Sequence, residues 1–318
     1  MPRANKKKLS ILYWYHSFIK WILHFITGRC ELERLCCNIK CRATCNLRIE
    51  NSLGNSKSKV LQDILTTINV NVEQSVQDVL NTKKIDAEKS LVFVDKLSKS
   101  LTQICGYIDL IDVVEKEKKI NFSSENKEHE EKLLQLWSLL MPDTALENRI
   151  TSQWGDIGFQ GKNPETDFRG MGILGLENLL YFAKNQNEVA RKVLSESHHP
   201  KYWYSFAIVG INLTALSFEL LQSGNLKPHF YNITTQKPTL GDFHKVYCCL
   251  FREFSSFWLE QKPASVMEFN RIRDEFRENT VSNLQNPAAV LAVDDLCTKT
   301  DLESTSVHSF TSQDFNDE

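Results

Sequence analysis

Apolar residues recur three or four positions apart along most of this chain, and this spacing limits the fold more than any other feature of the sequence. Between Lys57 and Leu140 the repeat runs through three groups of residues. They are Leu61, Ile64, Leu65 and Ile68; Val72, Val76 and Val79; and Leu91, Val94, Leu97, Leu101 and Ile104. The alternation of apolar and polar residues that a half-buried strand shows does not continue over a comparable length. The sequence therefore predicts an all-α fold.

Three later segments are strongly apolar and long enough for helices of about three to five turns. We expect buried core helices at Ile173 to Ala183, Tyr204 to Leu221 and Phe243 to Leu259. The pairs Thr239-x-x-Asp242 and Ser265-x-x-Glu268 have the spacing of amino-terminal helix caps. Turns between helices are marked by Pro142, Pro200, Pro228, Pro238 and Pro263. Together these signals predict a multi-helix globular domain.

Composition divides the chain into four parts. Residues 1–28 are basic and apolar, and residues 29–125 form a helical amino-terminal region. A polar interruption from Lys116 to Glu131 separates that region from the main domain, residues 126–285. Residues 286–318 are small, polar and acidic, so we expect this tail to be disordered because it has little apolar surface to bury.

The amino-terminal segment is predicted to be an amphipathic helix. Apolar and aromatic residues fill Leu9 to Ile26, whereas Ser10, Ser17, Lys20, His24 and Thr27 fall along one helical stripe. Because the stretch is short for a spanning helix and contains a lysine, we favour an anchor that lies in the membrane interface. Residues 1–28 would then hold a cytoplasmic protein on an endomembrane, lipid droplet or mitochondrial surface. A cleavable signal peptide and a helix that packs on its own domain remain alternatives.

Charge and cysteine usage exclude several kinds of partner. The formal net charge is −2, and the chain between its basic start and its acidic end is close to neutral, so nucleic acid is not an expected partner. Five of the nine cysteines crowd together at Cys30, Cys36, Cys37, Cys41 and Cys45. Their spacing lacks the two separated ligand pairs of a zinc module, so we expect reduced thiols and no metal, with acylation left open.

Six of the twelve glycines lie between Gly155 and Gly175, which predicts a shaped loop. Two nucleotide-binding patterns can be found in this loop, and neither is supported. Gly170-x-Gly172-x-x-Gly175 matches the dinucleotide fingerprint but does not follow a predicted strand, and Gly161-Lys162 lacks the rest of a phosphate loop. No Gly-x-Ser-x-Gly motif occurs either. We therefore expect neither a bound cofactor nor a self-contained enzyme active site.

Arg169 is the residue of this loop that is best suited to a chemical role. It could simply form an ion pair with Asp167 or another acid of the loop. Alternatively, Phe159 and Phe168 fix the loop to the core, Gly170 leaves the backbone beside the guanidinium uncovered, and Gln160 serves as a polar partner. A planar, permanently charged group on a rigid protruding loop suits the phosphates of a nucleotide held by another protein.

The loop also resembles a known family. The run Trp154-x3-Gly-Phe-Gln-Gly-x2-Pro-x-Thr-Asp-Phe-Arg-Gly-x-Gly-x-Leu-Gly-Leu is similar to the signature of the ELMO domain, and specifically to that of the ELMOD family of GTPase-activating proteins. Further similar segments begin at Thr27, Arg48, Tyr204 and Met267. The resemblance therefore covers nearly the whole chain up to the acidic tail.

This resemblance implies a helical ELMO domain at 126–285 that stimulates GTP hydrolysis on ARF-like and ARF small GTPases. The essential arginine of the family falls on Arg169, which would act as an arginine finger. Supporting roles fall on the surrounding loop residues Trp154, Phe159, Gln160, Asp167, Phe168 and Gly170. GTP and magnesium would belong to the partner, so the chain would be an activator acting in trans and not an enzyme. A non-catalytic adaptor that binds small-GTPase regulators is the alternative.

One position departs from the family pattern. Related sequences usually have an acidic residue just before the proline of the motif, whereas this chain has Lys162-Asn163-Pro164. Asn163 can still cap a helix that starts at Pro164. The change in local charge is expected to influence which GTPase is preferred.

Overall fold

The computed structural model describes residues 18–19, 21–23, 25–37 and 39–292, and within them it confirms the all-α prediction. The α-helices are α1 (Glu31–Cys37), α2 (Arg42–Gly54), α3 (Lys59–Asp63), α4 (Val72–Lys83), α5 (Leu91–Lys119), α6 (Lys127–Leu140), α7 (Gly172–Asn185), α8 (Asn187–Ser197), α9 (Phe206–Gln222), α10 (Lys227–Ile233), α11 (Leu240–Gln261) and α12 (Phe269–Leu284). Short 3₁₀ helices lie at Ser152–Ile157, Pro164–Gly170 and Val266–Glu268. Helical backbone also occurs at 18–19, 21–23 and 25–27.

The three predicted core helices are confirmed as α7, α9 and α11, each within a few residues of its expected ends. Residues 1–17 of the predicted membrane segment and residues 293–318 of the predicted acidic tail lie outside the described part of the chain. The boundaries among the four predicted parts stay predictions.

The first predicted helical repeat, from Leu61 to Ile68, is shorter than expected. Regular helix ends at Asp63, and the Thr66 hydroxyl then donates to the Asp63 carbonyl oxygen. Asn69 follows in the left-handed conformation at φ 56°, and its backbone N–H donates to the Asp109 carboxylate. Threonine side chains that bond to nearby backbone compete with the helix, which accounts for its early end.

One of the two predicted caps forms in full. The Thr239 hydroxyl accepts the Asp242 backbone N–H, and the Asp242 carboxylate accepts the Thr239 N–H, so a capping box begins α11. Ser265 caps only the 3₁₀ turn Val266–Glu268, and the Glu268 carboxylate accepts the N–H of Ala264 instead. The second spacing therefore marks a turn that leads into α12.

Helix α7 lies at the centre of the core and packs against α5, α6, α8, α9 and α11. Its buried residues cover most of its circumference, and the less buried Glu177, Tyr181 and Lys184 fall on the one remaining stripe. The amino-terminal region joins the same core, because α2 packs against both α5 and α10. There the Glu50 carboxylate accepts hydrogen bonds from Lys227 and from the Tyr231 hydroxyl at 2.9 and 3.0 Å.

Within the described ranges, no single helix has the length and apolar character needed to cross a membrane. Helices α9 and α10 satisfy those two criteria only when taken together, and a bend of 82° separates them.

Two glycines connect the glycine-rich loop directly to core helices. Gly158 has φ 84°, and a Cβ at this position would lie 2.3 Å from the backbone nitrogen of Phe206, where α9 begins. Gly172 has φ 56°, and its Cβ would lie 2.3 Å from the carbonyl oxygen of Ile120, just beyond α5. The backbone nitrogens of Ile208 and Ile173 donate to the Gly158 and Ile120 oxygens respectively, so both contacts include hydrogen bonds.

We predict that Gly158→Ala lowers the free energy of unfolding by about 2 to 5 kcal/mol, because left-handed strain and a clash with rigid backbone add together. Gly161→Ala is the matched control. Gly161 also has a positive φ, 70°, but a Cβ there meets no atom within 4 Å. The free energy of unfolding of Gly161→Ala should therefore fall only by the strain of the left-handed conformation, about 1 to 2 kcal/mol. Chemical denaturation measures both variants, and equal losses would contradict the close-contact explanation.

Candidate functional site

A chain of aromatic rings fixes the glycine-rich loop to the core. Trp154 packs edge-on against Trp137 of α6 and against Phe159, with ring centroids 5.5 and 5.9 Å apart. Phe159 packs edge-on against Phe168 at 5.5 Å, and Phe168 contacts Phe122 at 5.1 Å. All five rings are buried. Such pairs add about 0.5 to 1.5 kcal/mol each beyond the burial of their surface, so they give the loop a rigid base.

The 3₁₀ helix Pro164–Gly170 forms the part of the loop that carries the arginine. Asn163 caps it as predicted, because the Asn163 side-chain oxygen accepts the backbone N–H of Glu165 at 3.2 Å. The Glu165 carboxylate accepts both the backbone N–H and the hydroxyl of Ser124, at 3.3 and 3.1 Å. Both bonds lower the pKa of Glu165, and the bond from the Ser124 backbone N–H has the larger effect. They also tie the 3₁₀ helix to the connection between α5 and α6.

Asp167 joins the two halves of the loop. Its carboxylate accepts the backbone N–H of Gln160 at 2.8 Å. Partial burial raises the pKa of Asp167, while the Gln160 N–H and the positive charge of Arg169 act in the opposite direction. Gln160 thus supports the loop through its backbone; its side chain is exposed and makes no hydrogen bond to Arg169 in the described structure.

Arg169 is exposed, although the preceding residue, Phe168, is buried. Its Nε donates to the carbonyl oxygen of Thr166 at 2.9 Å. Neither Nη1 nor Nη2 bonds to any described residue, and no described carboxylate forms an ion pair with the guanidinium, Asp167 included. The Nε bond fixes the guanidinium near its base, so the two terminal nitrogens remain available for an external group.

The surface around Arg169 is open on one side and concave on the other. A Cβ at Gly170 would meet nothing within 4 Å, which agrees with the expectation that this glycine leaves the backbone uncovered. A shallow depression of about 330 Å³ adjoins the guanidinium. It is lined by Asn121, Phe122, Glu165, Thr166, Phe168 and Arg169. A protruding group of another protein could therefore approach the guanidinium from this side.

Sequence reasoning did not anticipate Asn121 and Phe122. They lie about 45 residues before Arg169, inside the polar interruption, and their contact with the loop depends on how α5 and α7 meet. The one available signal was a single phenylalanine in a run of polar residues, since such a residue needs somewhere to be buried.

Two contacts at this loop bear on the nucleotide-binding patterns in its sequence. The Ile173 N–H at the start of α7, which a phosphate would need, already donates to the Ile120 oxygen. Gly170 ends a 3₁₀ helix, so the partial dinucleotide fingerprint stands outside the strand–turn–helix setting in which that motif works. Among the described side chains, no group of three or more His, Cys, Asp or Glu could hold a metal ion.

The chain is similar to known proteins over most of its length. Residues 112–273 match the sequence model of the ELMO/CED-12 family. ELMO domain-containing protein 1 of Mus musculus is 46% identical over 301 residues, covering 88% of this chain and 92% of the mouse protein. ELMO domain-containing protein 2 of Homo sapiens is 46% identical over 266 residues, covering 84% and 90%. ELMO domain-containing protein B of Dictyostelium discoideum is 38% identical over 269 residues, covering 83% and 93%. This chain therefore belongs to the ELMO/CED-12 family.

Proposed function

We propose that this protein stimulates GTP hydrolysis on a small GTPase of the ARF-like or ARF type, with Arg169 as an arginine finger. The observation that carries the proposal is the state of the guanidinium: it is exposed, fixed through Nε, and has both terminal nitrogens unengaged among the described residues. The resemblance of the loop to the ELMOD signature implies that the essential arginine of the family falls on this residue. The chain would act in trans, and the nucleotide and its magnesium ion would belong to the partner.

The chemistry required of Arg169 is electrostatic. As the bond to the γ-phosphoryl group breaks, negative charge spreads over the phosphoryl oxygens, and a guanidinium with two parallel N–H donors can stabilise it. Such fingers accelerate hydrolysis by about 10³ to 10⁵, or roughly 4 to 7 kcal/mol of barrier. The rigid aromatic base matters because a group held in place beforehand loses little freedom when the partner binds.

We predict that Arg169→Lys reduces stimulated hydrolysis by about 10³-fold or more, because an ammonium lacks the planar pair of donors. The measurement is single-turnover GTP hydrolysis across a panel of ARF-like and ARF GTPases. Arg191→Lys serves as the control, since Arg191 is an exposed arginine on α8 outside the loop, and it should retain full stimulation. The finger proposal fails if the wild-type chain stimulates no GTPase of the panel or if Arg169→Lys is fully active. The non-catalytic adaptor then becomes the better explanation.

Asp167 allows the loop geometry to be tested apart from the arginine itself. Because its carboxylate accepts the Gln160 N–H and forms no ion pair with Arg169, we predict that Asp167→Asn retains most of the stimulation. Asp167→Ala removes the acceptor and should lower the stimulated rate by about tenfold, through misplacement of the finger. The same hydrolysis assay measures both. A large loss in the Asn variant would show that the charge, and not the hydrogen bond, is required.

We also propose that the amino-terminal segment holds the protein on the cytoplasmic surface of a membrane. Phe18, Trp21 and Phe25 form a row of stacked rings with centroids 6.3 and 6.0 Å apart. Their exposed fractions are 45%, 62% and 80%. Aromatic residues aligned on the outer side of a helix fit the headgroup level of a bilayer, where large rings are favoured.

Deletion of residues 1–28 should release the protein from membranes while stimulation of a soluble GTPase stays within about twofold of the full chain, since the finger loop rests on other elements. Membrane partition is measured by fractionation and hydrolysis by the single-turnover assay. Unchanged partition after the deletion would remove the anchor proposal without affecting the role of Arg169.

A further inference from the structure

A second surface lies beside the end of the helical stretch that carries Phe18, Trp21 and Phe25, which we call the aromatic helix. A depression of about 670 Å³ has Gly28 on one side and the connection between α4 and α5 on the other. We call residues 83–92, which form that connection and the helix ends on either side of it, the α4–α5 rim. Five basic and three acidic side chains line the depression, so its net charge is positive.

The rim carries two adjacent aliphatic residues that face solvent. Leu91 and Val92 begin α5, with exposed fractions of 70% and 72%. Phe93, the next residue, is buried and attaches this end of α5 to the core. Two large exposed aliphatic side chains on a rigid helix end are unfavourable in water, and their burial in an apolar medium would be favourable.

Lysines flank these apolar residues. Lys83 ends α4, and Lys84 follows in the left-handed conformation at φ 53°. Lys89 pairs with Asp86 at 2.9 Å, whereas no carboxylate among the described residues forms an ion pair with Lys83 or Lys84. Two ammonium groups that form no ion pair with a described residue, beside two exposed aliphatic residues, suit the headgroups and upper acyl chains of an anionic bilayer.

Glu33 fixes the rim relative to the aromatic helix. One oxygen of its carboxylate accepts the Cys30 backbone N–H at 2.8 Å, and the other accepts the Ser90 hydroxyl at 3.0 Å. Lys96 of α5 reinforces the link by donating to the Cys36 carbonyl oxygen at 3.0 Å. The chain that leaves the aromatic helix at Gly28 is therefore held against the beginning of α5, so that the end of that helix at Thr27 borders the same depression as Leu91 and Val92.

We infer that the α4–α5 rim is a second contact with the surface of an anionic bilayer, made by Leu91 and Val92 in the interface and by Lys83 and Lys84 at the headgroups. This inference rests on the proposed membrane association of the aromatic helix and extends it. Two contacts fix the orientation of the domain on the membrane, whereas a single helix leaves it free to rotate.

The test is cosedimentation of the full chain with vesicles of phosphatidylcholine that contain phosphatidylserine. The variant Leu91→Glu/Val92→Glu should reduce the partition coefficient about tenfold or more, because it replaces two apolar side chains with negative charges that the anionic vesicle surface repels. Lys83→Gln/Lys84→Gln should reduce it about tenfold on these vesicles and leave binding to pure phosphatidylcholine unchanged. The matched control is Met267→Glu/Val290→Glu, which adds the same two charges at other exposed apolar positions and should keep at least half of wild-type binding.

Hydrogen exchange gives a second measurement on the unmodified chain: the backbone of residues 83–92 should gain protection from exchange when phosphatidylserine vesicles are added.

If deletion of residues 1–28 releases the chain while both rim variants bind as wild type and residues 83–92 gain no protection, the rim inference fails and the anchor proposal stands. If the rim variants lose a protein partner but keep vesicle binding, the rim is a protein interface and the inference also fails. A full chain that binds no vesicles overturns both proposals.

Discussion

Direct backbone contact at Gly158 and Gly172 determines where the arginine-bearing loop sits. Each glycine has a positive φ and touches the backbone of another element, Phe206 at the start of α9 and Ile120 after α5. With its ends held in this way, the loop needs no long apolar segment of its own. Phe159 and Phe168 fill the space between the two contacts, and the residues between them can face solvent without loss of order.

Two acidic residues of the loop lie close to Arg169 in sequence, but backbone groups occupy both of them. Glu165 accepts two hydrogen bonds from Ser124, and Asp167 accepts the amide of Gln160. Each carboxylate thereby satisfies a donor that the irregular backbone would otherwise leave without a partner. The loop is stabilised by its anions while its cation remains available to another molecule, and this division of roles makes a protruding arginine compatible with a rigid loop.

Local sequence patterns predicted the elements of this fold better than their contacts. The 3.6-residue period located α7, α9 and α11, because each buries apolar residues along its whole length. The same period overestimated α3, after which the Thr66 hydroxyl bonds to the backbone. Resemblance to a family singled out Arg169, yet neither pattern nor resemblance revealed that Gln160 acts through its amide or that Phe122 supports Phe168. Those contacts join distant segments, and spacing along the chain carries no information about them.

Gly155, Gly170 and Lys162 are exposed positions of the loop where a side chain can change without loss of its framework. The side chain of Lys162 is exposed, and its structural contribution is the carbonyl oxygen that accepts the Thr151 amide, which every residue type possesses. Charge at this position can therefore be exchanged while the 3₁₀ helix and its arginine stay in place. The close contacts at Gly158 and Gly172 hold the framework of the loop, so a substitution at Lys162 alters the charge of an exposed surface and leaves the backbone beneath it unchanged.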